Sequence, residues 1–201
     1  MNGICGKERL KSICKAVGIF SAAAFTAFLI SFATWIAERE IIYPLKYREE
    51  IFEVSVLYGV EPALIFAVVK TESGFRATAE SEKGAMGLMQ ITKDTAAYIA
   101  ALRGIEDYDI KDAKTNLDFG AYYIRYLGGK FYGIYEIAAA YNAGEGRVKE
   151  WLKDKRYSKD GVTLYNIPYE ETARYADKIC RATNKYKKLY GKLLDKQKNF
   201  E

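Results

Sequence analysis

Residues 62–90 have the sequence PALIFAVVKTESGFRATAESEKGAMGLMQ. Their first part is apolar and long enough for a short helix, with Pro62 suited to its first turn. Glu72 then lies in the last turn, on the same helical stripe as Ile65 and Val68. Burial beside apolar neighbours and the negative end of a helix dipole both raise the pKa of such a carboxyl group, as a general acid requires. The alternative is that Glu72 is only the polar end of a core helix.

Small residues dominate the stretch that follows Gly74: Ala77, Thr78, Ala79, Ser81, Gly84, Ala85 and Gly87. Neither helical nor strand periodicity is visible there, and a long loop in a compact domain is uncommon unless it is functional. Small side chains also let a ligand approach the backbone closely. The loop after Glu72 is therefore predicted to serve binding rather than packing alone.

The uncharged stretch 16–37 is 22 residues long, and a helix of about 20 apolar residues crosses a bilayer. Four basic residues precede it against one acidic residue, so the positive-inside rule places residues 1–15 in the cytoplasm and the following domain outside. A cleaved secretory signal is the alternative, although the small residues of SAAAF lie inside the apolar stretch rather than after it. We therefore predict a cytoplasmic tail, a signal-anchor span over residues 16–37 and a single-pass protein of the cell membrane.

The chain contains no histidine, which excludes Ser-His and Cys-His nucleophile pairs and histidine-based metal sites. Cys180 is the only cysteine beyond the span, so the external domain has no internal disulfide to form, while Cys5 and Cys14 are expected to be reduced cytosolic thiols. The charges beyond the span nearly balance and no basic stripe alternates with aromatic residues, so nucleic acid is not an expected partner. Neither a metal nor a cofactor is expected.

Helical periodicity continues through the rest of the chain, without convincing strands. Pro44 falls in the first turn of one predicted helix, and Thr92 caps another. Helices are predicted over residues 41–59, 62–72, 92–102, 116–129, 134–144 and 147–155, and over a long segment after Pro168. Residues 38–190 are therefore predicted to form one mainly α domain, and residues 191–201 a charged, disordered tail.

Four motifs occur in order along this domain: ES-x-F from Glu72, S-x-x-GA-x-GLMQ from Ser81, NL-x-x-G from Asn116 and AYNAG from Ala140. Together they resemble the catalytic domain of soluble-type (Slt-like) lytic transglycosylases, which has a lysozyme-like fold. Each motif is weak alone, but the four with compatible gaps are specific. The resemblance covers most of residues 58–180 and implies a lysozyme-like helical domain preceded by a single transmembrane helix.

The resemblance implies cleavage of the β-1,4 bond between N-acetylmuramic acid and N-acetylglucosamine in peptidoglycan glycan strands. Most glycosidases need a second carboxylate, and no second acid in the four motifs competes for that role. In this family the substrate's N-acetyl oxygen assists bond cleavage, and its own C6 hydroxyl then attacks C1. Glu72 would first donate a proton to the glycosidic oxygen and then remove one from the C6 hydroxyl, which leaves a 1,6-anhydro product.

The same resemblance assigns substrate-binding residues. Ser81 matches a position that contacts the substrate's N-acetyl group or the acid, and Gln90 matches an amide that bonds sugar hydroxyls and acetamides. Tyr141 matches an aromatic hydroxyl that approaches the catalytic carboxyl and orients the acetamide. Asn142 matches a substrate contact, with capping or turn formation as its alternative. Glu171, in an IPYEET segment similar to a later motif of the family, either meets the peptide stem or caps the last helix.

Other motif residues have structural interpretations. Asn116, like Asn142, either contacts the substrate or serves in capping or turn formation. Glu80 and Glu82 are interpreted as solvated loop residues rather than a second acid. A proline usually follows the Met-Gln pair in this family and is missing here, although Thr92 can cap the next helix instead. The apolar loop residues are predicted to form core and groove wall: Met86, Leu88 and Met89.

Two alternatives stay open at this stage. A goose-type-like muramidase would use the same acid but finish the reaction with water, and a wall-binding scaffold would keep the groove without turnover. Intact Glu72 and Tyr141 argue against the scaffold. The predicted partners are the membrane, contacted through residues 16–37, and the glycan strands. Cell-wall or secretion machinery is a further candidate partner.

Overall fold

A computed structural model describes the backbone of residues 2–197 and the side chains of Lys15 and residues 17–194. The chain divides into two compact units, Met1–Pro44 and Leu45–Glu201. In the first unit, helix α1 spans Asn2–Ala37 and continues as a π-helical turn over Glu38–Ile42. The helical segment Val17–Ile42 is long and apolar enough to cross a membrane. It continues past the end of the predicted span.

The second unit is built from seven helices within the described residues. In chain order they are α2 Arg48–Tyr58, α3 Pro62–Glu72, α4 Lys93–Arg103, α5 Ala113–Gly128, α6 Ile134–Ala143, α7 Glu145–Lys153 and α8 Glu170–Gln197. Two isolated β-bridges between α3 and α4 are the only extended pairing between residues 2 and 197. The predicted mainly α fold is confirmed.

Helix α3 lies at the centre of this unit. Every residue from Pro62 to Val69 is buried, so burial extends beyond the stripe that carries Ile65 and Val68. The cause is packing on more than one side, chiefly against α8 and also against α2. Phe66 shows this, because its ring stacks on Tyr186 of α8 at 5.3 Å and meets Phe52 of α2 edge-on at 6.2 Å. A helix buried all round holds its last residue, Glu72, in a fixed place.

The start of α2 differs from the prediction. Tyr47 adopts a left-handed conformation, with φ of 53°, and the helix begins at Arg48. Pro44 therefore precedes the helix instead of lying in its first turn, because the left-handed residue separates the two. Gly59 ends the helix as predicted, with φ of 62°.

Helix α8 extends further than predicted. Its backbone is helical to Gln197, whereas a disordered tail was expected from residue 191. The reason is that Leu194 is buried and continues, at four-residue spacing, the apolar stripe of Tyr186 and Tyr190. The last part of the predicted tail, residues 198–201, lies outside the described residues.

Candidate active site

The loop between α3 and α4 is fastened by its own backbone. Met86 donates its N–H to the Ile91 carbonyl at 3.0 Å and accepts the Ile91 N–H at 2.9 Å. Gly87 donates to the Ala79 carbonyl at 2.9 Å. The Ser73 hydroxyl, at the end of α3, donates to the Leu88 carbonyl at 2.8 Å. These bonds hold the GLMQ segment against the helix that carries Glu72.

The buried side chain of Asn116 holds the loop through hydrogen bonds to its backbone. Its amide nitrogen donates to the carbonyls of Met86 and Ile110, both at 2.8 Å, and its amide oxygen accepts the Met89 N–H at 2.8 Å. A Cβ at Gly87 would lie 2.3 Å from the Asn116 amide nitrogen, and Gly87 has φ of 78°. The motif therefore needs glycine there for both space and conformation. Asn116 neither caps a helix nor forms a turn, so that alternative was wrong.

The start of α5 and its packing against the loop explain why Asn116 does not cap the helix. Helix α5 begins earlier than predicted, at Ala113, because Asp112 accepts the Thr115 N–H at 2.8 Å and acts as the cap. A Cβ at Gly120 would lie 2.3 Å from the Met89 sulfur, so α5 can pack against the loop only with glycine at that position. The prediction that the apolar loop residues belong to the core is confirmed by burial of Met86, Leu88 and Met89.

A cavity of 420 Å³ opens beside the loop. It brings together all six residues predicted for the site: Glu72, Ser81, Gln90, Tyr141, Asn142 and Glu171. A second cavity of 470 Å³ shares Glu72, Ser81 and Gln90 with the first and adds Arg76 and Glu80. Open space therefore lies beside the Glu72 carboxyl group in both cavities.

Glu72 has the electrostatic setting of a general acid. Burial raises its pKa to about 7, while a hydrogen bond from Tyr175 and the charge of Lys178 act in the opposite direction. The Tyr175 hydroxyl donates to Glu72 Oε1 at 2.6 Å. A pKa near neutrality lets one carboxyl group give and take a proton. The expected rise in pKa is confirmed, with burial as its leading cause.

Tyr141 lines the cavity together with Glu72, but it is not the tyrosine that hydrogen-bonds the carboxyl group. Its hydroxyl donates to the Met89 carbonyl at 2.8 Å, and the tyrosine bonded to Glu72 is Tyr175 of α8. Burial, followed by the charge of Glu72, raises the pKa of Tyr141 well above its ordinary value. Tyr175 was missed because it lies outside the four motifs. A signal was present, since Tyr175 follows Glu171 by one helical turn.

The side chains of Gln90 and Ser81 each use part of their hydrogen-bonding capacity on the loop backbone. The Gln90 amide nitrogen donates to the carbonyls of Ala79 at 3.1 Å and Gly87 at 3.0 Å, and its φ is 50°. Its amide oxygen is therefore the group that can accept a hydrogen bond from a ligand. The Ser81 hydroxyl oxygen accepts the Ala85 N–H at 3.0 Å, so its proton can be donated into the cavity.

Asn142 and Glu171 close the opposite side of the cavity. The Asn142 amide oxygen accepts the Thr172 hydroxyl at 2.7 Å, which ties the end of α6 to the start of α8. Its amide nitrogen can then face a ligand. Glu171 is exposed and lies in the first turn of α8. Glu80 and Glu82 are exposed loop residues, and no group of three or more potential metal-ligating side chains occurs among the described residues.

Comparisons with known proteins identify the family of the chain. The family model described as Transglycosylase SLT domain matches residues 49–163. The soluble lytic murein transglycosylase of Salmonella typhimurium is 30% identical over 156 residues, which cover 74% of this chain and 24% of the relative. The membrane-bound lytic murein transglycosylase C of Serratia proteamaculans is 29% identical over 169 residues, which cover 71% of this chain and 47% of the relative.

Solved structures confirm the fold. The 70 kDa soluble lytic transglycosylase of Escherichia coli matches with a TM-score of 0.67 and 27% identity, over 74% of this chain and 25% of that protein. An inactive glutamate-to-glutamine mutant of the lytic transglycosylase Slt from Pseudomonas aeruginosa matches with a TM-score of 0.64 and 29% identity, over 75% of this chain and 25% of that one. The chain spans about a quarter of the length of these soluble relatives. Because the family model covers more than half of the chain, the chain belongs to the Transglycosylase SLT domain family.

Proposed function

We propose that this protein is a peptidoglycan lytic transglycosylase that cleaves the β-1,4 bond between N-acetylmuramic acid and N-acetylglucosamine. The observation that carries the proposal is the Glu72 carboxyl group, which has a pKa of about 7, lines the cavity of 420 Å³ and accepts a hydrogen bond from Tyr175. The relatives support it, because they are named lytic murein transglycosylases. One solved neighbour is described as inactive with glutamine in place of a glutamate.

The proposed reaction uses Glu72 twice. The protonated carboxyl group donates its proton to the glycosidic oxygen as the bond from that oxygen to C1 breaks, with help from the substrate's N-acetyl oxygen. The resulting carboxylate keeps its hydrogen bond from Tyr175. It then removes the proton of the C6 hydroxyl as that oxygen attacks C1. Glu72 ends protonated again, no water is consumed, and the product carries a 1,6-anhydro ring.

Three polar groups are suited to orient the sugar against Glu72. Ser81 can donate its hydroxyl proton, Gln90 can accept through its amide oxygen, and Asn142 can donate through its amide nitrogen. Their other polar atoms are fixed by the backbone or by Thr172. Groups held in this way lose little conformational entropy when a ligand binds. We assign substrate binding to these residues and to Tyr141 and Glu171.

A muramidase that hydrolyses the same bond is the second candidate. It rests on one observation, which is that Glu171 lines the same cavity as Glu72. In an inverting hydrolase a second carboxylate activates water on the opposite face of the sugar. Glu171 belongs to the IPYEET segment rather than to the four motifs, and its position in the cavity lining supports this candidate.

Mass spectrometry of digested peptidoglycan separates the candidates. We expect products one water lighter than hydrolysed muropeptides, and no label from ¹⁸O-water at the new ends. Glu171→Gln should then keep the anhydro product, whereas Glu72→Gln should release none. Reducing ends that carry ¹⁸O, lost in Glu171→Gln, would replace the transglycosylase with the hydrolase. Wall binding without turnover in the unaltered protein would leave only a scaffold.

Membrane anchoring with the domain outside completes the proposal. Val17–Ile42 supplies the span, the basic residues before it set the orientation, and one relative is named membrane-bound. Tyr132 is 86% exposed, so Tyr132→Cys in a variant without the native cysteines provides a probe. A membrane-impermeant thiol reagent should label it on spheroplasts, where the outer face of the membrane is open. Labelling only after lysis would reverse the orientation.

A further inference from the structure

The cavity at Glu72 has one wall that continues beyond its lining residues. On α4 the cavity is lined by Thr92 and Thr95, and on α5 by Tyr123. Three positions further along these helices come Tyr98 on α4 and Tyr126 on α5. Residues three apart share a helix face and lie about 4.5 Å apart along the helix axis. The two tyrosines therefore extend the same wall outward.

The extension is a continuous row of aromatic rings. Tyr141 and Tyr123, which line the cavity, have ring centroids 5.5 Å apart. Tyr123 stacks with Tyr126 at 6.1 Å, and Tyr126 meets Tyr98 edge-on at 5.7 Å. The row ends at the surface, where 43% of Tyr98 is exposed.

Polar contacts fix the outer pair in place. The hydroxyl groups of Tyr98 and Tyr126 are hydrogen-bonded to each other, and Lys130 donates to the Tyr126 hydroxyl. The Lys130 ammonium lies 4.0 Å from the centroid of the Tyr126 ring and pairs with Glu145 of α7 at 2.8 Å. A pair held from three helices presents its rings without paying further ordering entropy on binding.

Tyr126 is partly buried and Lys130 lies over one face of its ring, whereas Tyr98 is exposed at the outer end of the row. Tyrosine offers an apolar ring beside a polar hydroxyl, and a sugar offers an apolar face of C–H groups beside hydroxyls. We propose that the Tyr98–Tyr126 pair is a distal glycan subsite, which binds a further sugar of the strand whose scissile bond lies at Glu72. This inference rests on the proposed function and adds selection for longer glycan strands.

Binding to uncleaved ligands tests the subsite. In the Glu72→Gln variant, calorimetry compares a tetrasaccharide and an octasaccharide of alternating N-acetylglucosamine and N-acetylmuramic acid without peptides. We expect the octasaccharide to bind more tightly, and Tyr98→Ala to reduce its advantage by roughly fivefold, which corresponds to about 1 kcal/mol. Tyr98→Phe, which keeps the ring, should retain most of the advantage. The matched control is Tyr132→Ala, which removes a tyrosine that is 86% exposed and lines no described cavity near Glu72.

Each outcome has a defined meaning. An unchanged octasaccharide advantage in Tyr98→Ala, or the same loss in Tyr132→Ala, overturns the subsite. Should Tyr98→Ala not fold, Tyr98→Leu keeps apolar bulk on α4 without an aromatic face and is expected to show the same loss. If unaltered protein yields no anhydro product while the Tyr98-dependent advantage persists, the proposed chemistry fails and the subsite stands. If cleavage occurs without that advantage, the chemistry stands and the subsite fails.

Discussion

Asn116 and Glu72 are both polar residues of the four motifs, but they differ in burial and in hydrogen bonding. Asn116 is fully buried, and its side chain makes three hydrogen bonds of 2.8 Å to backbone groups. Glu72 is only partly buried and receives one described side-chain bond, from Tyr175, while burial raises its pKa to about 7. A satisfied polar group stabilises the fold, whereas a poorly satisfied carboxyl group stays available for proton transfer.

The largest effect expected from this contrast is on activity. Glu72→Gln keeps the size of the side chain but removes the transferable proton, so product release from purified peptidoglycan should fall by about a thousandfold or more. Asn116 variants that still fold should lose much less. Turnover by Glu72→Gln within tenfold of the unaltered protein would remove Glu72 from the chemistry.

The contrast reverses for stability. Asn116→Ala removes three hydrogen bonds and leaves buried backbone groups unsatisfied, so the free energy of unfolding should fall by about 3 kcal/mol. Asn116→Asp should be as damaging, because its second oxygen would face the carbonyls of Met86 and Ile110, which now accept from the amide nitrogen. Urea denaturation at neutral pH measures both. A decrease in the free energy of unfolding below about 1 kcal/mol would mean that the loop does not depend on the hydrogen bonds of Asn116.

The two residues should also differ in how stability depends on pH. Glu72 has a raised pKa when folded, so the folded state holds its proton while the unfolded state loses it between its ordinary value of 4.5 and about 7. Stability is therefore lost as pH rises through this window. Compared with the unaltered protein, Glu72→Gln should be equally stable below the window and more stable above it, by up to about 3 kcal/mol. Thermal unfolding across the pH range measures this, and a pH-independent difference would contradict it.

The smallest expected effect concerns Tyr175. Its hydrogen bond stabilises the ionised form of Glu72, so Tyr175→Phe should raise the pKa of Glu72 further, by roughly one unit. Because the first step needs the protonated acid, the fall in rate on the alkaline side should move to higher pH. Tyr141→Phe is the matched control, since the Tyr141 hydroxyl bonds the Met89 carbonyl instead of the carboxyl group. Equal shifts in both variants would contradict the assignment of Tyr175.

The sequence predicted the candidate site better than it predicted individual contacts. Motif order and spacing were enough to collect Glu72, Ser81, Gln90 and Tyr141 around one cavity, because short motifs specify local backbone shape. Tyr141 and Asn116 both form hydrogen bonds with the backbone of Met89, from which they lie 52 and 27 residues away in the sequence. Such partners depend on how helices meet in space, which periodicity does not specify.

The same limit applies to whole helices. Periodicity located most helices of the second unit to within a turn, but it started α2 at residue 41 instead of 48 and ended α8 near residue 190 instead of 197. The left-handed conformation of Tyr47 sets the start of α2, and the buried Leu194 continues the apolar stripe of α8. Periodicity also does not reveal the packing of α8 along α3. Tyr175 is reached by the same packing, which is why the motifs did not reveal it.

The central claim is that Glu72 is held near half-protonation at neutral pH by its place at the end of α3. A ¹³C NMR titration of the Glu72 side-chain carboxyl, assigned by its loss in Glu72→Gln, measures this directly. The structure predicts a pKa of about 7. A value at the ordinary 4.5 of a solvated glutamate would contradict the acid and base roles assigned to this residue.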